Sequence, residues 1–291
     1  MAAYLYLGRT VVFLIILLHN SMLLTGQNIK IFGHRGCRGL LPENSIAAFN
    51  KAIDIGVDGI EWDVVVNKDK ELIISHEAYI DNSYCKYLDG NSIQNKSKEN
   101  LNIYNMTTKD INKYDCGSIY RSRFPNQTLQ KSTKPSVKQA FSEINFNNNT
   151  EILFEIKSSP TDYNIYQPKA KEYCKIIHNE LINNTRLEYI VFMSFDRNIL
   201  NELVKLLPNN KYIYLIYNPL KSYKNIIEEL NFVPFGLGIY HHIISETTIK
   251  QAHNNNIKIY AWTVNTNQEA QKLINKGVDG IITDYPNLFI K

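Results

Sequence analysis

Side chains that can bind cations, bind anions or move protons stand in, or directly after, short apolar segments of this sequence. Seven of them are His34, Arg35, Glu61, Asp63, His76, Glu155 and Lys157. The three carboxylates offer the hard oxygen ligands that suit Mg²⁺ or Ca²⁺ rather than zinc. The guanidinium and ammonium groups can neutralise an anionic ester, and the two imidazoles can act as general acid and base. Together these residue types predict metal-assisted hydrolysis of an anionic ester.

Glu61 and Asp63 lie two residues apart in a strongly apolar segment. Successive side chains of a strand point to opposite faces, so these carboxylates share a face and Trp62 lies on the other. By the same rule, Glu155 and Lys157 share a face. An acid-x-acid pair is a weak signal alone, since roughly three are expected from the composition. The apolar context strengthens it, because charges buried in a strand are costly unless they bind something.

The histidines need more caution, because a single histidine is more often a structural residue than a catalyst. His34 stands in the run Gly33-His34-Arg35-Gly36, where the flanking glycines allow the backbone to approach a ligand closely. His76 follows a short extended run, Leu72–Ser75. The glycine context favours a functional role for His34 in particular.

Short segments rich in Ile, Val and Tyr alternate with amphipathic stretches, which is the pattern of repeated βα units around a parallel sheet. The eight candidate strands are Ile29–His34, Gly59–Val66, Glu151–Lys157, Glu188–Ser194, Lys211–Ile216, Phe235–Ile239, Ile257–Val264 and Gly280–Thr283. Helices are predicted over Ser45–Gly56 and Asn267–Lys276, with Gly56 and Gly277 as their C-terminal caps. Eight strands in about 250 residues predict an α/β fold, a (β/α)8 TIM barrel.

A polar stretch at about residues 77–135 interrupts this alternation. Residues 86–138 include ten Lys and Arg against four Asp and Glu, and the stretch is too long for an ordinary βα loop. We expect an insertion, between the second strand region and the following helix, that covers the catalytic mouth of the barrel. A solvated excursion without a role is the alternative.

Residues 1–26 form a unit of their own, with Arg9 ahead of an apolar run from Val11 to Leu18. Such a run is shorter than a membrane span and is typical of a secretory signal peptide. An uncleaved anchor, which would keep the protein near a membrane, and a buried first helix are the alternatives. The sequence therefore predicts an exported protein, periplasmic or secreted, with residues 27–291 as its barrel domain.

The charge balance is mild. The 32 Lys and Arg against 28 Asp and Glu give a net charge of +4, far from the concentrated positive field of nucleic-acid-binding proteins. We therefore expect a small anionic ligand and no nucleic acid.

The four cysteines, at positions 37, 85, 116 and 174, show no zinc-ligand spacing. In an exported protein Cys85 and Cys116 could form a disulfide within the insertion, and unpaired thiols are the alternative.

Several runs of this sequence resemble the glycerophosphodiester phosphodiesterase family, in the order in which that family carries them. They are Gly33-His34-Arg35-Gly36, Pro42-Glu43-Asn44-Ser45, the stretch 56–64, Ser75-His76-Glu77, Glu155-Ile156-Lys157, the stretch 261–265 and the stretch 277–286. The likeness extends from Lys30 to the C-terminus. The inserted segment resembles that of bacterial members, particularly exported ones of the Bacteroidetes type. Glu77 departs from the family's usual aspartate, and the Arg-Thr-Thr that commonly follows is missing, so no role for this acid is implied.

The resemblance implies a barrel enzyme that converts a glycerophosphodiester and water into glycerol 3-phosphate and an alcohol. By this resemblance, one divalent cation, Mg²⁺ or Ca²⁺, is bound by Glu61, Asp63 and Glu155, with Glu43 as a further candidate ligand. The substrate is bound by Arg35, Lys157 and Trp262. General acid and base catalysis falls to His34 and His76. Trp262 would pack beside the glycerol, or else be one aromatic of a barrel layer. Two alternatives keep the fold: hydrolysis of lysophospholipids at the same site, in the manner of a lysophospholipase D, and an inactive barrel that only binds a phosphate ligand.

Overall fold

The computed structural model of the chain describes residues 29–290. Eight parallel strands form its central sheet: β1 (Lys30–Gly33), β2 (Gly59–Val66), β6 (Glu151–Ile156), β7 (Ile190–Ser194), β8 (Lys211–Ile216), β9 (Gly236–Tyr240), β10 (Lys258–Trp262) and β11 (Gly280–Thr283). Each of them overlaps one of the eight predicted strands. The sheet closes because β1 pairs with β2 on one side and with β11 on the other. The predicted (β/α)8 barrel is thus confirmed.

Helices cover the outside of the barrel: α1 (Ile46–Ile55), α3 (Val137–Glu143), α4 (Ala170–Leu181), α5 (Arg197–Leu206), α6 (Tyr223–Glu228), α7 (Glu246–His253) and α8 (Asn267–Lys276), with the short α2 (Thr108–Ile111) in the insertion. Local sequence fixes the ends of α1: the Ser45 side chain accepts a hydrogen bond from the backbone N–H of Ala48, and Gly56 takes the left-handed conformation at φ 96°. Gly277 ends α8 in the same way, at φ 97°. These ends match the predicted helix limits.

Alternation along the strands divides the core into two layers. Trp62 and Phe154 point outward and pack edge-to-face with centroids 6.0 Å apart, against the helices. The inner layer fills the barrel itself and consists of Phe32, Leu153, Val191, Met193, Ile213, Leu215, Tyr260 and Ile282. Glu61 and Asp63, on either side of Trp62, are both fully buried on the inner face. The inner layer is therefore apolar except where the carboxylates of β2 and Glu155 of β6 enter it.

The insertion of residues 77–135 lies between β3 (Leu72–Ile74), which pairs antiparallel with the end of β2, and α3. It contains a small hairpin of β4 (Lys86–Tyr87) and β5 (Tyr114–Asp115), and a disulfide joins Cys85 to Cys116. Its own apolar cluster, which includes Ile80, Leu101 and Ile111, packs against Val65 and Ile73. The insertion is thus a folded unit anchored on the barrel.

The predicted leader, residues 1–26, lies outside the described residues. Within residues 29–290, no helix has the length and apolar character needed to cross a membrane.

Candidate active site

The predicted site residues gather at the C-terminal ends of the barrel strands. A cavity of about 410 Å³ opens there, within the size range of small-molecule sites. The predicted residues that line it are His34, Arg35, Glu61, His76, Glu155, Lys157 and Trp262. Asp63 is fully buried beside them, with an oxygen 3.4 Å from Nζ of Lys157. This end of the barrel is where enzymes of this fold carry their catalytic groups.

The loop after β1 brings backbone and side chains close to the β2 carboxylates. Arg35 adopts φ 50°, a left-handed conformation that is rare for a residue with a side chain. In this conformation its backbone N–H donates to Oε2 of Glu61 at 2.7 Å. Gly36 follows at φ 83°, and a Cβ there would lie 2.6 Å from the backbone of Ala48. The glycine is therefore required for the close approach of this loop to helix α1.

Glu61, Asp63 and Glu155 form one carboxylate group, with an oxygen of each within 4.8 Å of the others. Strand register explains the meeting, because Asp63 on β2 is paired with Glu155 on β6. Among the described residues, Oε1 of Glu61 and Oδ1 of Asp63 are buried and make no hydrogen bond, although the Lys157 ammonium lies 3.4 Å from the Asp63 oxygen. Buried carboxylate oxygens without donors are costly. The three residues therefore fit a hard divalent cation, which would satisfy these oxygens.

Burial and the charges in and around this group shift the pKa values of the two β2 carboxyls in opposite directions. Burial, together with the charges of Asp63 and Glu155, raises the pKa of Glu61 well above its usual range. Burial also opposes ionisation of Asp63, but Arg35 and Lys157 outweigh it and hold the pKa of Asp63 well below its usual range. Close carboxylates of this kind cannot all ionise without compensation. A bound cation would supply that compensation.

Cationic side chains surround the carboxylate group. Lys157 lies 2.5 Å from Glu155, and Nε of Arg35 lies 3.2 Å from Asp63. Glu43, the further candidate ligand, lies outside the group: its two oxygens pair with Arg35 at 2.7 Å and with Arg121 of the insertion at 2.5 Å. Burial opposes its ionisation, yet the charges of these arginines lower the pKa of Glu43 to about 2. In this structure Glu43 therefore positions Arg35.

His34 is held by a carboxylate to which the sequence assigned no role. Its Nδ1 lies 2.7 Å from Oδ1 of Asp284, which follows β11, and its Nε2 lies 3.9 Å from Glu61. Asp284 also accepts hydrogen bonds from Arg38 at 2.5 Å and from Asn265 at 2.8 Å. Burial and the charge of Arg38 outweigh Asp284 and lower the pKa of His34 to about 4. A neutral imidazole at neutral pH follows from this balance.

His76 has the same kind of support from Glu77. Its Nδ1 lies 2.7 Å from Oε1 of Glu77, whose second oxygen accepts a hydrogen bond from Tyr84 of the insertion at 2.7 Å. Glu77 is therefore a partner of His76 even though it is longer than the usual aspartate. In both histidines the carboxylate contact occupies Nδ1 and leaves Nε2 for the cavity.

Several residues that complete the site were not predicted from the sequence. They are Asp284, Asn265, Arg38, Arg123, Asn44 and Glu77. Arg38 and Arg123 line the cavity, and Asn44 donates to Asp63 at 2.8 Å. One signal could have pointed to Asp284: it directly follows the last strand, at the same end of the barrel as His34.

The opposite wall of the cavity is aromatic. Trp262, at the end of β10, has ring centroids of Phe195 and Tyr240 each 5.5 Å away and that of Tyr217 6.2 Å away. Phe195, Tyr240 and Trp262 line the cavity. The cavity therefore presents a charged side for an anion and an aromatic side for the rest of a ligand.

A closed eight-stranded barrel with acids, bases and cations gathered at its C-terminal mouth is the arrangement of a TIM-barrel hydrolase. A profile of the glycerophosphoryl diester phosphodiesterase family matches residues 34–288, and the chain belongs to this family. It is accordingly a phosphoric diester hydrolase.

Individual relatives cover nearly the whole chain. A glycerophosphodiester phosphodiesterase of Caldanaerobacter subterraneus subsp. tengcongensis is 28% identical over 89% of this chain and 96% of its own length. An Oleispira antarctica phosphodiesterase, solved in complex with the product sn-glycerol-3-phosphate, superposes with a TM-score of 0.71 at 23% identity, over 89% of this chain and 94% of that one. Human lysophospholipase D GDPD1 is 22% identical over 88% of this chain and 83% of its own length.

Proposed function

We propose that this chain hydrolyses glycerophosphodiesters to glycerol 3-phosphate and an alcohol, with one divalent cation, Mg²⁺ or Ca²⁺, held by Glu61, Asp63 and Glu155. The observation that carries the proposal is the meeting of these carboxylates, two of their buried oxygens without partners, with two imidazoles at one cavity. When bound, the cation would polarise the phosphoryl oxygens and offset their negative charge. The product named for the Oleispira antarctica phosphodiesterase is in keeping with this chemistry.

Arg35 and Lys157 bind the phosphate. Both line the cavity and already face the carboxylate group, so a phosphate beside the cation lies within their reach. Glu43 pairs with Nη1 of Arg35 and so holds the guanidinium in place. The remaining N–H groups of this planar guanidinium can bind phosphate oxygens in a defined orientation. Lys157 supplies a second, point-like charge.

His34 and His76 share the proton transfers. Nε2 of one imidazole accepts the proton that the nucleophile loses. Nε2–H of the other imidazole donates a proton to the departing alcohol. Asp284 and Glu77 hold the Nδ1 atoms and so fix the ring orientations. The glycerol packs beside Trp262, on the aromatic wall.

A coupled assay for glycerol 3-phosphate, run on a panel of headgroups with each metal and with EDTA, tests the proposal. We expect turnover that depends on Mg²⁺ or Ca²⁺, lost in His34→Ala and His76→Ala and kept in the control His178→Ala, whose Nδ1 lies 3.3 Å from the amide oxygen of its neighbour Asn179 on helix α4. Undiminished rates in EDTA would remove the cation from the mechanism. Product binding without turnover of any diester would instead favour an inactive, phosphate-binding barrel.

A lysophospholipid is the second candidate substrate. The aromatic wall continues outward from Trp262 to Tyr217, which is 63% exposed, and apolar surface beside a cavity mouth suits an acyl chain. The human relative is named for that activity, and the basic insertion could face an anionic lipid. Release of choline from lysophosphatidylcholine, and not from glycerophosphocholine, would favour this candidate.

Export is also proposed. The apolar run in residues 1–26 supports it, and so does the disulfide between Cys85 and Cys116, because such bonds persist mainly in oxidising compartments. Fractionation of cells that express the full chain tests this proposal, and activity confined to the cytosol would contradict it.

A further inference from the structure

Three metal-binding side chains meet at the rim of the barrel, apart from the carboxylate group. His241 and His242 lie in the single 3-10 turn that follows β9, and Glu269 lies in the first turn of α8. A ligand atom of each lies within 4.8 Å of the others, and the two imidazole centroids are 3.9 Å apart. We call these residues the rim triad.

We propose that the rim triad binds a transition-metal ion of the Zn²⁺ type. Two imidazole nitrogens and one carboxylate oxygen form a donor set that zinc uses with a fourth position left open. Imidazole ligands suit Zn²⁺, Cu²⁺ or Ni²⁺, whereas Mg²⁺ and Ca²⁺ prefer oxygen ligands alone. The rim triad and the carboxylate group therefore select different ions.

Neighbouring contacts hold the ligands of the rim triad in place. The Tyr240 ring packs edge-on against both imidazoles, with centroid distances of 5.2 Å to His241 and 5.1 Å to His242. Oγ1 of Thr266 donates to Oε2 of Glu269 at 2.8 Å, which leaves Oε1 for an ion. Supporting contacts of this kind orient metal ligands and raise affinity. The side chains of His241 and Glu269 are only half-buried and that of His242 is exposed, so an ion can reach them.

An ion at the rim triad would also touch the cavity wall. His241 lines the cavity that contains His34 and Glu61, so coordination would fix one side of the entrance. The inference does not rest on the proposed function, because binding of the ion is measured without any substrate.

The test is a titration of the tag-free full chain with Zn²⁺ at about pH 8, where histidine is neutral, with excess Ca²⁺ present to fill the carboxylate group. We expect one ion per chain, and about a tenfold or greater loss of affinity in each of His241→Ala, His242→Ala and Glu269→Gln. Co²⁺ in place of Zn²⁺ should give an absorption band that these variants lose. Melting temperatures confirm that each variant is folded.

Matched variants separate the rim triad from other sites. His178→Ala and His253→Ala remove histidines from the outer helices α4 and α7 and should leave Zn²⁺ affinity unchanged. Glu61→Gln should leave it unchanged as well, since Glu61 belongs to the carboxylate group. Equal affinity in wild type and in a His241→Ala, Glu269→Gln double variant would overturn the inference. So would an equal loss in the control variants, which would mean adventitious binding to surface histidines.

Discussion

Nδ1 of His34 lies 2.7 Å from Oδ1 of Asp284, although the two residues are 250 positions apart in the chain. Closure of the barrel brings them together, since Gly33 at the end of β1 is paired with Thr283 at the end of β11. Asp284 is fully buried and also binds Arg38. The carboxylate thereby fixes the orientation of the His34 ring and leaves Nε2 toward the cavity.

Asp284→Asn should lower kcat by about 100-fold or more, because an amide can donate to Nδ1 and so favour the wrong tautomer of His34. Cation affinity should stay close to that of the wild type, since Asp284 lies outside the carboxylate group. Steady-state kinetics and a metal titration check these two outcomes. A kcat within threefold of wild type, in a folded variant, would show that Asp284 does not position His34.

Removal of the metal should be visible in stability as well as activity. A ligand that binds only the folded state raises its melting temperature, and a cation held by Glu61 would offset the charges that raise the pKa of this carboxyl. We expect Mg²⁺ or Ca²⁺ to raise the melting temperature of the wild type above its value in EDTA. Glu61→Gln should abolish this increase while melting in EDTA at the same temperature or higher, because it removes a buried carboxyl whose ionisation is opposed by burial and by the charges of Asp63 and Glu155.

The matched control for the metal prediction is Glu43→Gln. This change weakens buried pairs with Arg35 and Arg121, so we expect a loss of about 2 kcal/mol or more in stability. Its cation-dependent increase in melting temperature should nevertheless persist, since Glu43 lies outside the carboxylate group. An increase that survives in Glu61→Gln but vanishes in Glu43→Gln would reverse the assignment of the ligands.

Glu180, on helix α4, should make the stability of the protein depend on pH. Burial raises its pKa to about 7, and Oε2 accepts a hydrogen bond from the backbone of Leu72 at 3.2 Å. The folded state therefore holds this proton to a higher pH than the unfolded state does, so stability falls as pH rises between the usual glutamate pKa and about 7.

Glu180→Gln should accordingly raise the free energy of unfolding by about 1 kcal/mol near pH 8, a value reduced for partial exposure, and change it little near pH 4.5. Urea unfolding at both pH values measures the difference. Glu172→Gln, on the exposed side of the same helix, is the control and should stay within about 0.5 kcal/mol at both. A constant difference for Glu180→Gln across this range would contradict the raised pKa.

The Cys85–Cys116 disulfide closes a loop of 31 residues in the insertion. Loss of such a cross-link costs about 4 kcal/mol through the greater freedom of the unfolded chain. The midpoint of denaturant unfolding of the wild type should therefore fall on addition of a reductant. The double variant Cys85→Ala, Cys116→Ala should have the midpoint of the reduced wild type, and the reductant should not change it. The free thiols of Cys37 and Cys174 are buried and give no such response. An unresponsive wild type would mean that the bond is absent in solution.

Much of the fold followed from local sequence. Strand periodicity, the Ser45 cap and the glycines at 56 and 277 placed the strands and helix ends, because these features depend on neighbours along the chain. The same alternation put Glu61 and Asp63 on one face of β2, which the structure confirms. The family resemblance is confirmed as well.

Only the tertiary structure determined which residues hold the side chains of the site in position. The pairing of His34 with Asp284 requires ring closure, and the contacts of Arg121 with Glu43 and of Tyr84 with Glu77 require the insertion to fold back over the mouth. The meeting of the rim triad requires the turn after β9 and the first turn of α8 to lie side by side. Such contacts join residues far apart in sequence, and their energies depend on distances that no local pattern encodes.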